Sequence, residues 1–300
     1  MNLRNFFERT FDARRVKRNH DEYDHRRCYQ DYHAYCCRHA SSREGFHSLA
    51  SEASIEQHGL VPINGLLAPA IARELLENAI EVGELSLLKK NSRDLIGYRL
   101  RDITSVTRLL ESVISDRVDT LSRTYFGCEY LVHWFMIAMT PPTRRPASVS
   151  FLWHCDKGPR AHLKLMVYLN DADEHGGGTA FLDRNDSAAV EASGYLFGAA
   201  KKRTTDLKVL SARTGRDLAA LELHPSCGDA VLFQPTSIVH SGITPTRGPR
   251  YTLTLCLLPS PLPWAEALRY ATLSDLMEED LWHEDAMSLL QKMGLPDTSR

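Results

Sequence analysis

From residue 130 onward, the chain contains short apolar runs that are rich in β-branched and aromatic residues. Turn signals such as Pro141-Pro142, the three glycines at 176–178 and Gly248-Pro249 separate these runs. Many short strands at such spacing are typical of an all-β sandwich or barrel. The runs are YLVHWFMIAM, SVSFLWHCD, HLKLMVYLN, GTAFLD, DAVLF and YTLTLCLL.

The segments on either side of these strands show helical periodicity. Residues 59–67 predict a short strand and a turn, and residues 68–83 carry apolar side chains at helical spacing up to Gly83. Residues 103–123 predict a second helix, and the tail from Trp264 onward returns to a helical pattern. The apolar stripe of the second helix consists of Ile103, Val106, Leu109, Leu110, Val113 and Ile114.

The sequence therefore predicts three parts. Residues 1–58 form an N-terminal helical extension, residues 59–262 form the β domain, and residues 263–300 form a C-terminal helical cap. Residues 183–217 are polar and interrupt the strand pattern, so we expect a lid or insert loop there, with disorder as the alternative. This stretch includes Lys201, Lys202 and Arg203.

Composition excludes several classes of protein. At 300 residues, with 43% apolar and 25% charged residues, the chain is long enough for one large soluble domain or two small ones. A net charge of −2 argues against a nucleic-acid partner, and no apolar stretch is long enough for a membrane helix. The seven cysteines form no CxxC pair, so we expect a reduced, cytoplasmic protein. Composition leaves the oligomeric state open.

The N-terminal extension is basic and rich in His and Tyr. Leu3, Phe6, Phe7 and Phe11 share one helical face surrounded by basic residues, which is compatible with a membrane-surface helix or a transit peptide. Glu8 and Asp12 argue against a transit peptide, and we expect a docked or loosely attached helix. Several potential metal ligands follow, but their spacing does not match a paired Cys/His zinc signature. We therefore expect a solvated helix face. The potential ligands are His20, His25, Cys28, His33, Cys36, Cys37 and His39.

His154 and Asp156 are the most informative pair in the chain. Side chains two residues apart on a strand point to the same face, so this pair can bind one metal ion. His240, which follows the later strand run GDAVLF, is the candidate for the third ligand. Two His and one carboxylate that leave open positions form the ligand set of non-haem Fe(II) oxygenases. The alternative is a packed barrel histidine beside a turn aspartate.

Arg250 follows His240 ten residues later, at the start of the last strand run. A guanidinium stays charged when buried and can pair a carboxylate in a bidentate manner, so Arg250 fits the far end of a dicarboxylate co-substrate. Thr252 faces the same way and offers a hydroxyl. Lys164 is unusual within a strand and is a candidate for contact with co-substrate or substrate, with snorkelling to the barrel mouth as the alternative. Arg247 competes with Arg250, but it lies among turn residues.

The motifs WHCDKG, LKLMVYLNDADEHGGGTAFLD and GDAVLFQPTSIVHSGITPTRGPRYTLTL occur in this order. Together they resemble the Fe(II)/2-oxoglutarate-dependent dioxygenases, most of all the phytanoyl-CoA-dioxygenase-like branch, over residues 59–260. The resemblance implies a double-stranded β-helix of jelly-roll type, a cupin-like barrel that is mainly β with flanking helices, with the helices packed on one sheet. It also implies that His154, Asp156 and His240 bind Fe(II), and that Arg250 binds 2-oxoglutarate.

In this family O2 and 2-oxoglutarate are consumed, succinate and CO2 are released, and an unactivated C–H bond of the substrate is hydroxylated. Relatives that halogenate replace the motif carboxylate by a small residue, so the presence of Asp156 favours hydroxylation. The same site is also compatible with desaturation, epoxidation, cyclisation or demethylation. A β-barrel that binds a ligand without turnover is the non-catalytic alternative, and a cupin-type metal enzyme without 2-oxoglutarate would not need Arg250.

The substrate is expected to be a small or carrier-linked molecule. If the loop cations near the metal motif surround the barrel mouth, they favour an anionic substrate, and ordinary solvated loop charges are the alternative. These cations are Arg144, Arg145, Lys157 and Arg160. Trp153 and Tyr168 are candidate pocket residues, with aromatic core packing as the alternative.

Overall fold

The computed structural model describes residues 14–41, 55–82, 84–87, 96–143, 149–277 and 282–296. The strands are β1 (Leu60–Ile63), β2 (Glu84–Leu87), β3 (Ile96–Arg99), β4 (Glu129–Thr140), β5 (Leu163–Tyr168), β6 (Gly178–Leu182), β7 (Ala220–Leu223), β8 (Ala230–Phe233), β9 (His240–Ile243) and β10 (Arg250–Ser260). The α-helices are α1 (Tyr29–Ser41), α2 (Ile55–His58), α3 (Pro69–Val82), α4 (Ile103–Val113), α5 (Asp116–Phe126), α6 (Ala172–His175), α7 (Arg184–Ala192), α8 (Leu207–Thr214), α9 (Trp264–Ala267), α10 (Leu273–Met277) and α11 (Ser288–Lys292).

The strands form two antiparallel sheets in the described part of the chain. The large sheet has seven strands in the order β1-β8-β5-β10-β4-β3-β2, and the small sheet has three in the order β7-β6-β9. β10 lies at the centre of the large sheet, where it pairs with β5 on one side and with β4 on the other. The last strand among the described residues thereby joins the two parts of the large sheet that are formed earlier in the sequence.

The two faces of the large sheet differ in chemistry because side chains alternate along each strand. In β10, Leu253, Leu255 and Leu257 are fully buried and belong to the core that the helices α1, α3, α4 and α5 cover. Thr252 and Thr254 point to the opposite face, where they line a cavity between the sheets. The helices therefore pack on one sheet and leave its other face for polar groups.

The two sheets meet through a small aromatic cluster. Phe181 on the small sheet packs edge-to-face against Phe233 on the large sheet, with ring centroids 5.2 Å apart. Tyr168 and Val231 extend this contact from the large sheet. Two facing antiparallel sheets with helices on the outside are the arrangement of a jelly roll, so the predicted fold class is confirmed.

One predicted helix is in fact two. α4 ends at Val113, and the side chain of Ser115 then accepts a hydrogen bond from the backbone N–H of Val118 at 3.4 Å. A serine that binds its own downstream backbone starts a new helix, so Ser115 is the N-cap of α5. The apolar spacing continues across this break, which is why periodicity alone predicts one helix over 103–123.

The prediction of a strand over SVSFLWHCD is wrong. Residues 149–151 form a 3₁₀ turn, and His154 forms one isolated bridge to His240. The neighbouring backbone groups bond elsewhere, because Trp153 N–H donates to the Thr204 carbonyl and Asp156 N–H donates to the Pro235 carbonyl. Three different partners for one short segment leave no continuous ladder, although the sequence has strand composition.

Residues 183–217 contain the helices α7 and α8 rather than an irregular loop. Each helix begins with an aspartate, Asp183 and Asp206, whose side chain accepts a backbone hydrogen bond of the first turn. Val190 and Leu210 are buried in the core beside the small sheet. The surrounding polar residues conceal these few apolar anchors in the sequence, and a lid function of this insert stays a prediction.

The N-terminal segment is docked on the protein from residue 14 onward. Residues 14–20 are helical, continue into a π-helical stretch at Asp21–Arg26, and bury Val16 and His20. The predicted apolar face of residues 3–11 lies outside the described residues. Within the described ranges, no helix combines the length and the apolarity needed to cross a membrane.

We predict that Leu255→Ala destabilises the protein by about 2–5 kcal/mol, the cost of a large-to-small change in a packed core. Leu255 is 0% exposed at the centre of the large sheet, whereas Leu221 on β7 is 49% exposed. Leu221→Ala is the matched control and should change stability by less than about 0.5 kcal/mol. Urea unfolding measures both, and equal effects would contradict the assignment of β10 to the core.

Candidate functional site

Three potential metal ligands converge between the two sheets. The ligand atoms of His154, Asp156 and His240 all lie within 4.8 Å of one another. His240 opens β9, and His154 lies directly opposite, because each residue donates its backbone N–H to the carbonyl of the other at 3.0 and 2.9 Å. The two imidazoles therefore project from paired positions, with ring centroids 4.4 Å apart.

Both imidazoles are held in the orientation that a metal ligand needs. Nδ1 of His154 lies 2.6 Å from the Leu152 carbonyl, and Nδ1 of His240 lies 2.8 Å from the Ile238 carbonyl. A carbonyl only accepts hydrogen bonds, so each Nδ1 carries the proton and each Nε2 keeps its lone pair. A backbone carbonyl behind the ring is a usual partner of a metal-binding histidine.

The lone pairs of both histidines face the Asp156 carboxylate. Nε2 of His154 is 3.5 Å from Asp156 Oδ1, and Nε2 of His240 is 3.7 Å from Oδ2. Burial works to raise the pKa of Asp156, but the charge of Lys164 holds this pKa well below its usual value. The carboxylate is therefore ionised, and it is ready to bind a cation.

The protonation of His240 favours a metal in the same way. Burial and the neighbouring His154 lower the pKa of His240 to about 3. A neutral imidazole does not need to release a proton before it binds a metal ion. One carboxylate and two imidazoles on one side of a centre, with space on the other side, fit a non-haem Fe(II) ion.

A cavity of about 330 Å³ opens beside the three ligands, which is within the size range of small-molecule sites. Both sheets and several loops contribute to its wall. The lining residues are Tyr23, Trp134, Met136, Val149, Ser150, His154, Asp156, Lys157, Lys164, Met166, Thr179, Arg203, Phe233, His240, Gly242, Arg250, Thr252, Thr254 and Trp282.

Arg250 is one of the two buried cations in the described lining of this cavity, together with Lys164. Its side chain is 7% exposed, its guanidinium lies over the Phe151 ring at 5.4 Å, and Nη1 donates to the Gly178 carbonyl. Nε is buried and has no hydrogen-bond partner among the described residues. Burial lowers the pKa of Arg250 from its usual value. A buried guanidinium with an unused donor calls for an anionic ligand.

Gly242 makes the contact between Phe151 and Arg250 possible. A Cβ atom at position 242 would lie 2.8 Å from the Phe151 ring, which is closer than real Cβ atoms approach. Thr252 and Thr254 follow Arg250 on the same face of β10 and also line the cavity. The competing Arg247 lies outside this lining, is exposed, and donates to the Asp173 carbonyl.

Lys164 lies in the cavity, as predicted, but its first partner is a metal ligand. Its Nζ is 2.8 Å from Asp156 Oδ2 and lies over the Trp134 ring at 4.9 Å. The lysine therefore compensates the buried carboxylate. A contact of Lys164 with the co-substrate stays a prediction.

Of the predicted substrate residues, Lys157 lines the cavity, whereas the described lining does not include the other three. Trp153 is buried near the small sheet, and its Nε1 donates to the Thr205 carbonyl at 3.1 Å. Tyr168 donates to Thr179 at 2.8 Å, and Arg160 pairs with Asp24 at 3.4 Å. Core packing thus accounts for both aromatic residues.

The lining residues that were not predicted from the sequence include Tyr23, Trp134, Arg203 and Trp282. Arg203 reaches the cavity because Thr204 pairs with the backbone of Trp153, beside the metal motif. Burial lowers the pKa of Arg203, while the Asp156 carboxylate works to raise it. Trp134 could have been predicted from the alternation of side chains along β4. The other three could not, because they reach the cavity through contacts between distant segments.

No family model and no curated protein matches the sequence. Among solved structures, the protein is similar to the non-heme alpha ketoglutarate dependent epimerase SnoN from nogalamycin biosynthesis, with a TM-score of 0.48 and 14% identity over 76% of this chain and 84% of that chain. It is also similar to the carbocyclase SnoK from the same biosynthesis, with a TM-score of 0.46 and 14% identity over 70% of this chain and 84% of that chain.

A further similarity is to HygX from Streptomyces hygroscopicus, solved with nickel and 2-oxoglutarate bound. Its TM-score is 0.44, with 12% identity over 70% of this chain and 86% of that chain. At these identities and TM-scores, the chemistry assigned below rests on the side chains of this chain. The phytanoyl-CoA-dioxygenase-like branch stays a prediction.

We predict that Asp156→Ala removes one equivalent of tightly bound Fe(II), with affinity at this centre reduced by more than about 100-fold, since outer-shell partners alone contribute about 10- to 100-fold. His224 is exposed and lies outside the cavity lining, so His224→Ala is the control that should keep the metal. Anaerobic Fe(II) titration checks both variants. An unchanged stoichiometry in folded Asp156→Ala would refute the ligand assignment.

Proposed function

We propose that this protein is an Fe(II)- and 2-oxoglutarate-dependent dioxygenase that hydroxylates a small or carrier-linked anionic molecule. The observation that carries the proposal is the presence of Arg250 in the same cavity as His154, Asp156 and His240. Three metal ligands alone fit several kinds of metal enzyme. A buried guanidinium with an unused donor adds a site for a second anionic group at the same centre.

A dicarboxylate co-substrate needs two binding groups, a metal ion at one end and a cation at the other, and the cavity provides residues for both. One end of 2-oxoglutarate would bind the metal held by His154, Asp156 and His240, and the other carboxylate would pair with Arg250. Thr252 supports this pairing because its hydroxyl lies on the same face of β10. The Phe151 ring and the Gly178 carbonyl hold the guanidinium in place, so little side-chain entropy is lost when the anion binds.

The residues of the chain supply binding, orientation and the exclusion of water. Bound Fe(II) would supply the activation of O2 for the oxidative decarboxylation of 2-oxoglutarate and the transfer of oxygen to the substrate. Trp134 and Phe233 form apolar wall beside the ligands, which limits access of water to the centre. Asp156 occupies the carboxylate position that a halogenase would leave free, so hydroxylation is favoured.

We predict that protein with Fe(II) and 2-oxoglutarate develops the visible charge-transfer band of the chelate in the absence of O2. Arg250→Gln should keep Fe(II) but weaken 2-oxoglutarate binding by about 10- to 100-fold, which is the cost of one or more lost hydrogen bonds to a charged group. Arg247→Gln is the matched control and should bind like wild type, because Arg247 lies outside the cavity lining.

Titration of the band with 2-oxoglutarate gives both affinities. If folded wild-type protein binds Fe(II) and yet shows no band, the co-substrate assignment is wrong. If Arg247→Gln weakens binding as much as Arg250→Gln, the role given to Arg250 is wrong.

The charge of the cavity indicates the class of substrate. Its lining contains the cations Lys157, Lys164, Arg203 and Arg250, with Asp156 as the lining carboxylate among the described residues. Lys164 pairs with Asp156, and Arg250 is assigned to the co-substrate. Lys157 and Arg203 therefore remain to attract an anionic group of the substrate, while Tyr23 and Trp282 offer aromatic surface for its apolar part.

We expect carboxylated or phosphorylated molecules to stimulate succinate formation more strongly than their neutral esters or amides. In Arg203→Gln, this preference for the charged member of each pair should fall by about 10-fold or more, the value of a hydrogen bond to a charged group. Arg216, which is exposed and pairs with Asp186, gives the control Arg216→Gln. If the neutral and the charged member of each pair stimulate succinate formation equally in wild type, the anionic substrate class is wrong.

A further inference from the structure

A second group of potential metal ligands lies outside the cavity, between α1 and the start of β4. One imidazole nitrogen of His33 and the sulfurs of Cys37 and Cys128 all lie within 4.8 Å of one another. His33 and Cys37 are half-buried, and Cys128 is fully buried. One nitrogen and two sulfur ligands are soft donors of the kind that bind Zn²⁺ in proteins.

Local structure explains why these residues meet. His33 and Cys37 are one turn apart in α1, so their side chains share one face of the helix. Cys128 follows Gly127, which ends α5 with a φ of +64° and turns the chain towards β4. The sequence spacing within residues 1–58 does not match a zinc signature because the third ligand comes from a distant element.

The end of α5 favours a cation at this place. The Phe126 carbonyl lies 2.7 Å from His33 Nε2 and 3.4 Å from Cys37 Sγ. The last carbonyls of a helix have no partner within the helix and carry its partial negative charge. A backbone carbonyl that fixes the imidazole is also the usual support of a metal-bound histidine.

We propose that His33, Cys37 and Cys128 form a structural zinc site that joins α1 to the junction of α5 and β4. These three side chains supply the protein ligands. The bound ion would stabilise the docking of α1 on the protein. This site lies outside the cavity, and the proposal does not depend on the catalytic function proposed above.

Cobalt(II) in place of zinc provides the test, because a thiolate ligand gives a near-ultraviolet charge-transfer band that a centre of imidazoles and a carboxylate cannot give. Reduced, metal-free protein should develop this band in the absence of oxygen, and its final intensity should correspond to one thiolate-bound cobalt ion per chain, because cobalt at the centre of His154, Asp156 and His240 adds nothing to it. Cys37→Ser and Cys128→Ser should lose the band. Cys227→Ser is the matched control, because Cys227 is buried elsewhere and donates to the Leu169 carbonyl at 3.3 Å.

A far-ultraviolet circular dichroism spectrum of Cys37→Ser that matches wild type shows that this variant is folded. In folded protein, zinc should raise the melting temperature of wild type and of Cys227→Ser by more than that of Cys37→Ser, which keeps only the centre of His154, Asp156 and His240. Absence of the cobalt band in wild type, or its survival in Cys37→Ser, would overturn the proposal. A disulfide between Cys37 and Cys128 in protein whose thiols were blocked at lysis would overturn it as well.

Discussion

The reciprocal backbone hydrogen bonds between His154 and His240 hold together two parts of the chain that carry the metal ligands. They are the single bridge that this segment makes to β9, and they place both imidazoles on one side. The Pro235 carbonyl fixes the backbone of Asp156 in the same way. The hydrogen bonds of Nδ1 fix only the orientation of each imidazole ring. The backbone pairing therefore sets the relative position of the two histidines.

The cavity beside this bridge contains charges that a protein core normally excludes. Lys164 is compensated by Asp156, and Arg250 is held by a carbonyl and an aromatic ring without a carboxylate partner among the described residues. Leucines on the opposite face of β10 anchor the strand in the core and offset part of this cost. An uncompensated buried cation is expensive, so its presence is best explained by a ligand that brings the missing negative charge.

The sequence predicted what depends on short-range pattern. Strand alternation placed Thr252 on the same face as Arg250, and the order of the motifs was sufficient to predict that His154, Asp156, His240 and Arg250 meet in one cavity. Prediction from the sequence failed where one segment bonds to several partners, as around Trp153. It also failed where a side chain contacts residues that are distant in the sequence. Arg203 and Cys128 are of this second kind, because their neighbours are set by tertiary contacts and not by spacing.

The N-terminal extension belongs to the same structural unit as the cavity. The hydroxyl of Tyr29, at the start of α1, accepts the backbone N–H of His283 at 2.9 Å, and its ring packs against Trp282. Trp282 in turn lines the cavity, where Gly158 leaves the space that a Cβ would fill at 2.7 Å from the indole ring. Tyr29 and His33 are one turn apart on α1. A metal ion that fixes His33 would therefore also fix the helix that supports this wall of the substrate cavity.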